Sequence, residues 1–122
     1  MKKRKLFLPA FMITCILSIV GVSAGTQTLT CDLKPGYSKA STGVTDTTYK
    51  YARFKTTTTG TNCGSYGRCF VGLSLEKTMS VGIGDTQTYT VYYKYNSKKY
   101  QLEVTGVIDK KTTANGEVYA YD

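Results

Sequence analysis

The sequence of 122 residues contains no histidine, no tryptophan and only two prolines. The absence of histidine excludes Ser-His and Cys-His catalytic pairs and imidazole metal ligands. It also removes the side chain whose unperturbed pKa lies nearest to neutral pH. The composition therefore argues against the usual acid-base and thiol enzymes and favours a protein that is not an enzyme.

Motifs for cofactor and metal binding are also missing. The sequence has no phosphate-binding G-x-x-x-x-G-K-[ST] loop, no dinucleotide fingerprint and no D-x-D calcium loop. We therefore expect no cofactor and no metal ion. The remaining enzymatic alternative is a hydrolase built on carboxylates alone. It would require two of four acidic side chains to converge in a cleft: Asp85, Glu103, Asp109 and Glu117.

The only long apolar run lies at the N-terminus. Residues 2–5 are all basic, and residues 6–20 form an apolar run of 15 residues that ends before Gly21. A bilayer span needs about 20 residues, so the run is too short for an anchor and matches a bacterial signal peptide. The small residues before Gly25 predict cleavage after Ala24. We expect a signal peptide over residues 1–24 and a single secreted domain over residues 25–122.

Cleavage changes the charge of the protein. The whole chain has 16 basic and 8 acidic residues, and loss of residues 2–5 leaves 12 basic against 8 acidic, a net charge of +4. The remaining lysines and arginines are scattered, with no block of like charges. This distribution indicates a mild preference for acidic partners, and we expect no nucleic-acid binding.

The mature sequence predicts an all-β fold, because its apolar residues recur at every second position. We expect strands over 27–33, 47–58 and 68–76, and a hairpin over 87–108 that turns at 96–98. Asn115-Gly116 predicts a type I′ turn between segments 107–113 and 117–121. The result would be a small antiparallel sandwich or barrel-like domain of about six strands with a C-terminal three-stranded meander, preceded by the signal-peptide helix.

Turns and loops follow from the glycines. Pro35-Gly36 predicts the centre of a type II turn, residues 82–85 a second turn, and residues 60–67 a loop. The run of threonines over 56–59 fits an edge strand and a flexible loop equally well.

Three cysteines remain after cleavage, because Cys15 leaves with the signal peptide. The period-two pattern points Cys31 and Cys69 into the core, which favours a disulfide between them and leaves Cys63 as a free thiol. The alternative is a local bridge between Cys63 and Cys69 that closes a short loop.

The chain is rich in tyrosine, with 11 in all. Tyrosine suits the thin, half-exposed core of a small β domain, and that accounts for most of them. Tyr92, however, alternates with Thr90 and Lys94 on the polar side of its strand. We therefore expect a binding face formed by Tyr92 and Lys94 with the cross-strand neighbours Gln101 or Glu103.

These observations predict a secreted, non-enzymatic β-domain protein that binds a cell-surface or extracellular macromolecule. The alternative is a small cationic toxin or bacteriocin that acts on the envelope of a competitor. Residues 90–95 have high β propensity and carry one charge, so an exposed edge there would allow self-association.

Overall fold

The computed structural model describes residues 15–16 and 25–122. The described part of the chain is all-β and contains no helix. Its nine strands are β1 (Cys15–Ile16), β2 (Thr26–Leu33), β3 (Lys39–Ser41), β4 (Tyr51–Thr58), β5 (Ser65–Val71), β6 (Ser74–Val81), β7 (Thr86–Tyr92), β8 (Tyr100–Gly106) and β9 (Ala114–Tyr121). Except for β1, the predicted signal peptide over residues 1–24 lies outside the described residues.

The strands form two antiparallel sheets. The first sheet has the order β2-β9-β4-β7, with the two-residue β1 on the outer side of β2, and the second has the order β3-β8-β5-β6. Strand β2 pairs with β9, β3 with β8, β4 with β7 and β5 with β6. The chain is thus one long hairpin wrapped into two layers, which is the jelly-roll topology. The predicted all-β sandwich is confirmed.

The core lies between the two sheets and follows the alternation of the sequence. Inward-facing residues of β2, β4, β8 and β9 are fully buried, among them Leu29, Phe54, Leu102 and Val118. The rings of Phe54 on the first sheet and Tyr100 on the second pack edge to face, with centroids 6.1 Å apart. These contacts join the two layers.

The predicted hairpin over 87–108 is wrong. Strand β7 pairs with β4 in the first sheet, whereas β8 pairs with β3 and β5 in the second. The segment between them therefore crosses from one layer to the other, and the backbone bridge between Tyr49 and Lys98 holds it in place. Strand alternation shows which side chains are buried but does not say which strand is the partner.

The predicted turn at Asn115-Gly116 is also wrong, because both residues lie within β9, between β2 and β4. A Cβ on Gly116 would lie 2.8 Å from side-chain atoms of Leu102 and Val104 on the facing sheet. The glycine thus lets the two layers approach closely. Without these two hairpins there is no C-terminal meander.

The predicted strand over 68–76 is two strands joined by a tight turn. Strands β5 and β6 form a hairpin whose two-residue loop is Gly72-Leu73, and Gly72 has a φ of +66°. Glycine at the first loop position is typical of a type II′ turn. Leu73 is 98% exposed at the tip, whereas a single strand over 68–76 would have placed it on the same inward face as Cys69.

Other turns are where the sequence predicts them. The amide of Tyr37 donates to the carbonyl of Lys34 at 3.2 Å across Pro35-Gly36, and Gly36 has a φ of +91°. The amide of Asp85 likewise donates to the carbonyl of Gly82 at 3.0 Å.

The threonine run takes neither predicted form, because residues 56–58 belong to β4, a central strand between β9 and β7. Thr56 and Thr58 are buried there. The loop predicted over 60–67 ends earlier, since β5 begins at Ser65.

Candidate functional site

A row of tyrosines crosses the outer face of the first sheet. Tyr51 on β4 lies directly opposite Tyr92 on β7 and Tyr121 on β9. The ring centroids of Tyr51 and Tyr92 are 4.4 Å apart with planes 14° from parallel, and those of Tyr51 and Tyr121 are 4.7 Å apart and 2° from parallel. Three strands therefore bring three side chains into one stack.

Two further residues extend this stack along the sheet. The ring of Tyr119 lies 5.1 Å from that of Tyr121, and the guanidinium carbon of Arg53 lies 5.4 Å from the centre of the Tyr119 ring. The distance fits a cation–π contact. We call these five residues the tyrosine ridge: Tyr51, Tyr92, Tyr119, Tyr121 and Arg53.

The stacking determines what the tyrosine ridge presents to a partner. The inner rings cover each other's faces, so a partner can reach only their edges. Tyr92 is the end ring of the row and is 50% exposed. A hydrogen bond with Tyr92 raises the pKa of Tyr51 above its ordinary value. The tyrosine ridge thus offers hydroxyls, one exposed ring and the positive charge of Arg53.

The residues of the predicted binding face are divided between the two sheets. Tyr92 lies on the outer face of the first sheet, and Lys94 follows β7, with its Nζ 5.1 Å from the ring centre of the exposed Tyr95. Gln101 and Glu103 lie on β8 in the second sheet. The structure therefore does not bring Tyr92 together with Gln101 or Glu103. Their predicted proximity depended on the hairpin that does not form.

Gln101 and Glu103 have polar partners on the second sheet. The amide of Gln101 donates to Oγ of Ser41 at 2.8 Å. The carboxylate of Glu103 lies 3.5 Å from Nζ of Lys39 and 3.6 Å from a guanidinium nitrogen of Arg68. These ion pairs lie at the surface, where such pairs contribute little to stability.

Sequence reasoning missed the contribution of β9 to the tyrosine ridge. Tyr119 and Tyr121 alternate with buried residues at every second position, so their place on the outer face could have been predicted. Their neighbours could not, because the pairing of β9 with β4 joins residues about 65 positions apart in the sequence.

The cysteines of the domain are buried. Cys69 is a free thiol, and burial raises its pKa to about 12, so it is protonated and unreactive at neutral pH. The Sγ of Cys63 lies 2.7 Å from the hydroxyl oxygen of Thr112. Cys31 lies on the other sheet from Cys69, and the predicted bond between them is not formed in this structure. That pairing stays a prediction.

The four carboxylates of the hydrolase alternative lie on different elements. Glu103 is on β8, whereas Glu117 is on β9 in the other sheet, with its carboxylate 3.4 Å from Nζ of Lys55. Asp85 closes the turn before β7, and Asp109 lies in the loop before β9. Among residues 15–16 and 25–122 there is no group of three His, Cys, Asp or Glu side chains placed to hold a metal ion. The same residues include no helix that is long and apolar enough to cross a bilayer.

Comparison with known proteins identifies a fold and no family. No protein-family description matches the sequence, and no curated protein is significantly similar to it. A subunit of Bacillus endospore appendages, described as a novel family of disulfide-linked pili, superimposes with a TM-score of 0.54 at 12% identity over 85% of this chain and 97% of that chain. The capsid protein of Helicobacter pylori bacteriophage KHP30 superimposes with a TM-score of 0.49 at 10% identity, over 83% of this chain and 90% of the capsid chain. The chain therefore shares its fold with a pilus subunit.

Proposed function

We propose that the chain is an exported, non-enzymatic β-sandwich protein that binds an extracellular or cell-surface macromolecule through the tyrosine ridge. The observation that carries this proposal is the in-register stack of Tyr92, Tyr51 and Tyr121 on the outer face of the first sheet. Stacked rings are held in one conformation, so little side-chain entropy is lost when a partner binds.

The chemistry of the tyrosine ridge favours an acidic polysaccharide. Tyr92 exposes a ring against which a flat apolar surface, such as the face of a sugar, can pack. The neighbouring hydroxyls bond to oxygen-rich groups, and Arg53 attracts negative charge. The net charge of +4 expected for the exported chain also attracts an acidic partner.

The fold gives further support for a role without catalysis. The endospore appendage subunit that shares this fold is described as a component of pili, which are assemblies rather than enzymes. The pKa of Cys69 is raised by burial, which does not suit a nucleophile.

Export is part of the proposal. The basic residues 2–5 and the apolar run that follows would direct the chain out of the cell, with cleavage after Ala24. Edman sequencing or mass spectrometry of protein recovered after export is expected to give an N-terminus at Gly25. An N-terminus at Met1 would contradict export by this route.

The binding experiment uses the full chain, expressed with its own leader and recovered after export. Its binding to isolated bacterial cell walls is measured by co-sedimentation over a range of protein concentrations. We expect Tyr92→Ala and Arg53→Ala each to weaken binding about tenfold, as expected for loss of a contact residue at the centre of an interface.

Tyr66→Ala is the matched control, because Tyr66 is a partly exposed tyrosine on β5 in the second sheet. It should bind as well as the unaltered protein. Unchanged binding of Tyr92→Ala would refute the role of the tyrosine ridge. Loss of membrane potential in bacteria exposed to the protein would instead support the toxin alternative.

A further inference from the structure

The edge strands of the second sheet carry features that prevent pairing with other molecules. Strand β3 at one edge has only three residues and includes Lys39. Strand β6 at the other edge carries Glu76 and Lys77, and its register with β5 shifts between Cys69 and Phe70. Short strands, charges and irregular register are the usual protections of an exposed edge.

The edges of the first sheet lack these protections. Strand β7 has seven residues with no charge, no glycine and no proline. Strand β2 has eight residues, and its only charge is Asp32, next to its C-terminal end. Both pair with their inner neighbours in an unbroken register. Long edges with little or no charge are templates for the addition of another strand.

The edge of β2 already accepts a strand in this structure. Cys15 and Ile16 pair antiparallel with Cys31 and Thr30. If the leader is removed after Ala24, as proposed above, these two residues leave and the edge becomes open to another strand.

The direction of the strands fits the joining of two copies. Each strand of β2-β9-β4-β7 is antiparallel to the next, so β7 runs opposite to β2. A second copy in the same orientation therefore presents its β2 antiparallel to β7 of the first. Because four strands is an even number, the alternation of hydrogen-bonded pairs also continues across the junction.

The side chains at the two edges are compatible. Thr28 and Thr90 lie in one row across the sheet, through Tyr119 and Arg53. Joined in the same register, Thr28 of one copy faces Thr90 of the other, a pairing that β-branched side chains favour. The row above would bring Tyr92 against Thr26.

We propose that exported copies of this chain polymerise head to tail, with the β7 edge of one copy adding to the β2 edge of the next. The contact is heterologous and does not close on itself, so it produces a fibre. Each copy adds four strands, which gives a rise of about 19 Å and, from the twist of about 20–25° per strand, a rotation of about 80–100° per copy. The tyrosine ridge repeats along one surface of this fibre, with the free face of Tyr92 covered by Thr26 of the next copy except at the fibre end.

A cysteine cross-link tests the junction. Exported Thr28→Cys protein is mixed with exported Thr90→Cys protein under mild oxidation by oxidised glutathione, which accepts the two electrons and two protons of the new thiols. Within one copy these positions are three strand spacings apart, about 14 Å, too far for a disulfide. Each variant also carries only one of the two new cysteines, so a disulfide between the two new thiols can form only between copies.

We expect the Thr28→Cys and Thr90→Cys mixture to give at least tenfold more dimer than a control mixture of Thr28→Cys and Thr105→Cys. Thr105 lies on β8 in the second sheet. Dimers of Thr28→Cys alone at the same yield would mean that β2 pairs with β2, and the proposal would be wrong.

A charge exchange supplies an independent measurement. The double variant Thr28→Glu with Thr90→Glu places two carboxylates opposite each other at the junction and should sediment as a monomer. The variant Thr28→Lys with Thr90→Glu should restore polymers, since it replaces repulsion by attraction at the same positions. A monomer for the unaltered exported protein at 100 µM in ultracentrifugation would overturn the proposal, whether or not cell-wall binding is observed.

Discussion

The hydroxyl of Tyr100 on β8 donates a 2.7 Å hydrogen bond to the backbone carbonyl of Tyr49, just before β4. Tyr100 is fully buried, and this bond ties the second sheet to the chain that enters the first. Burial raises the pKa of Tyr100 to about 12. The same ring packs against Phe54, so one side chain contributes both polar and apolar contacts to the core.

We predict that the protein loses stability in alkali. Burial raises the pKa values of Tyr100 and Cys69 to about 12, above the ordinary values of 10.0 and 9.0. The unfolded chain therefore releases these protons first, and it is favoured as the pH rises from about 9 to 12. Below pH 9 both groups are protonated in the folded and the unfolded chain, and their contribution to the free energy of unfolding is fully present. Urea unfolding at pH 7, 9, 10 and 11 should show a progressive fall in the free energy of unfolding.

Tyr100→Phe isolates one part of this effect. This substitution should lower the free energy of unfolding by about 1 kcal/mol at pH 7, because the hydrogen bond is lost. It should also reduce the fall in the free energy of unfolding between pH 9 and 11. Tyr95→Phe is the control, because Tyr95 is 89% exposed. The same alkaline slope in Tyr100→Phe and in the unaltered protein would contradict the prediction.

Thr56 and Thr58 on β4 should respond in opposite ways to the loss of their hydroxyls. Both are buried, but Thr56 Oγ1 has no hydrogen-bond partner among the described residues. Thr58 Oγ1 lies 2.7 Å from Oγ of Ser65 and donates to the carbonyl of Val81 at 3.1 Å. Thr56→Val should leave the free energy of unfolding unchanged or raise it by up to about 1 kcal/mol. Thr58→Val should lower the free energy of unfolding by about 1–3 kcal/mol.

Urea unfolding of the two valine variants measures this difference directly, since the substitution is the same in both. Equal destabilisation would mean that the two hydroxyls have equivalent surroundings, contrary to the structure.

Tyr51 should stabilise the domain as well as shape its surface. It is the central ring of the stack and contacts both Tyr92 and Tyr121. Aromatic pairs contribute about 0.5–1.5 kcal/mol each, so Tyr51→Ala should cost about 1–3 kcal/mol. Tyr95→Ala should leave the unfolding midpoint unchanged. A Tyr51→Ala protein as stable as the control would show that the stack adds nothing to folding.

Gly116 should not tolerate a side chain. A Cβ there would lie 2.8 Å from the methyl groups of Leu102 and Val104. Gly116→Ala should therefore cost about 1–3 kcal/mol by overpacking. Asn115→Ala, on the outer side of the same strand, should change the free energy of unfolding by less than about 0.5 kcal/mol. Thermal unfolding of the two variants separates close packing of the sheets from a general effect on β9.

The turn signals and the buried faces of most strands could be predicted from sequence alone. Pro35-Gly36 forms its turn because proline sets one backbone angle and glycine accepts positive φ. The inward positions of Leu29, Cys69 and Val91 follow from alternation with polar residues. These are local properties, decided by neighbours within a few positions.

Strand pairing was decided only by the tertiary structure. Residues 87–108 have the pattern of a hairpin, yet β7 and β8 belong to different layers. Asn115-Gly116 has the sequence of a turn, yet close packing against Leu102 and Val104 places it inside a strand. Tyr51, Tyr92 and Tyr121 meet for the same reason, since their strands are neighbours in space and distant along the chain. The sequence by itself determined that the chain is all-β and which side chains most strands bury. The register between distant strands, which depends on packing the whole core at once, determined the surface that the protein presents.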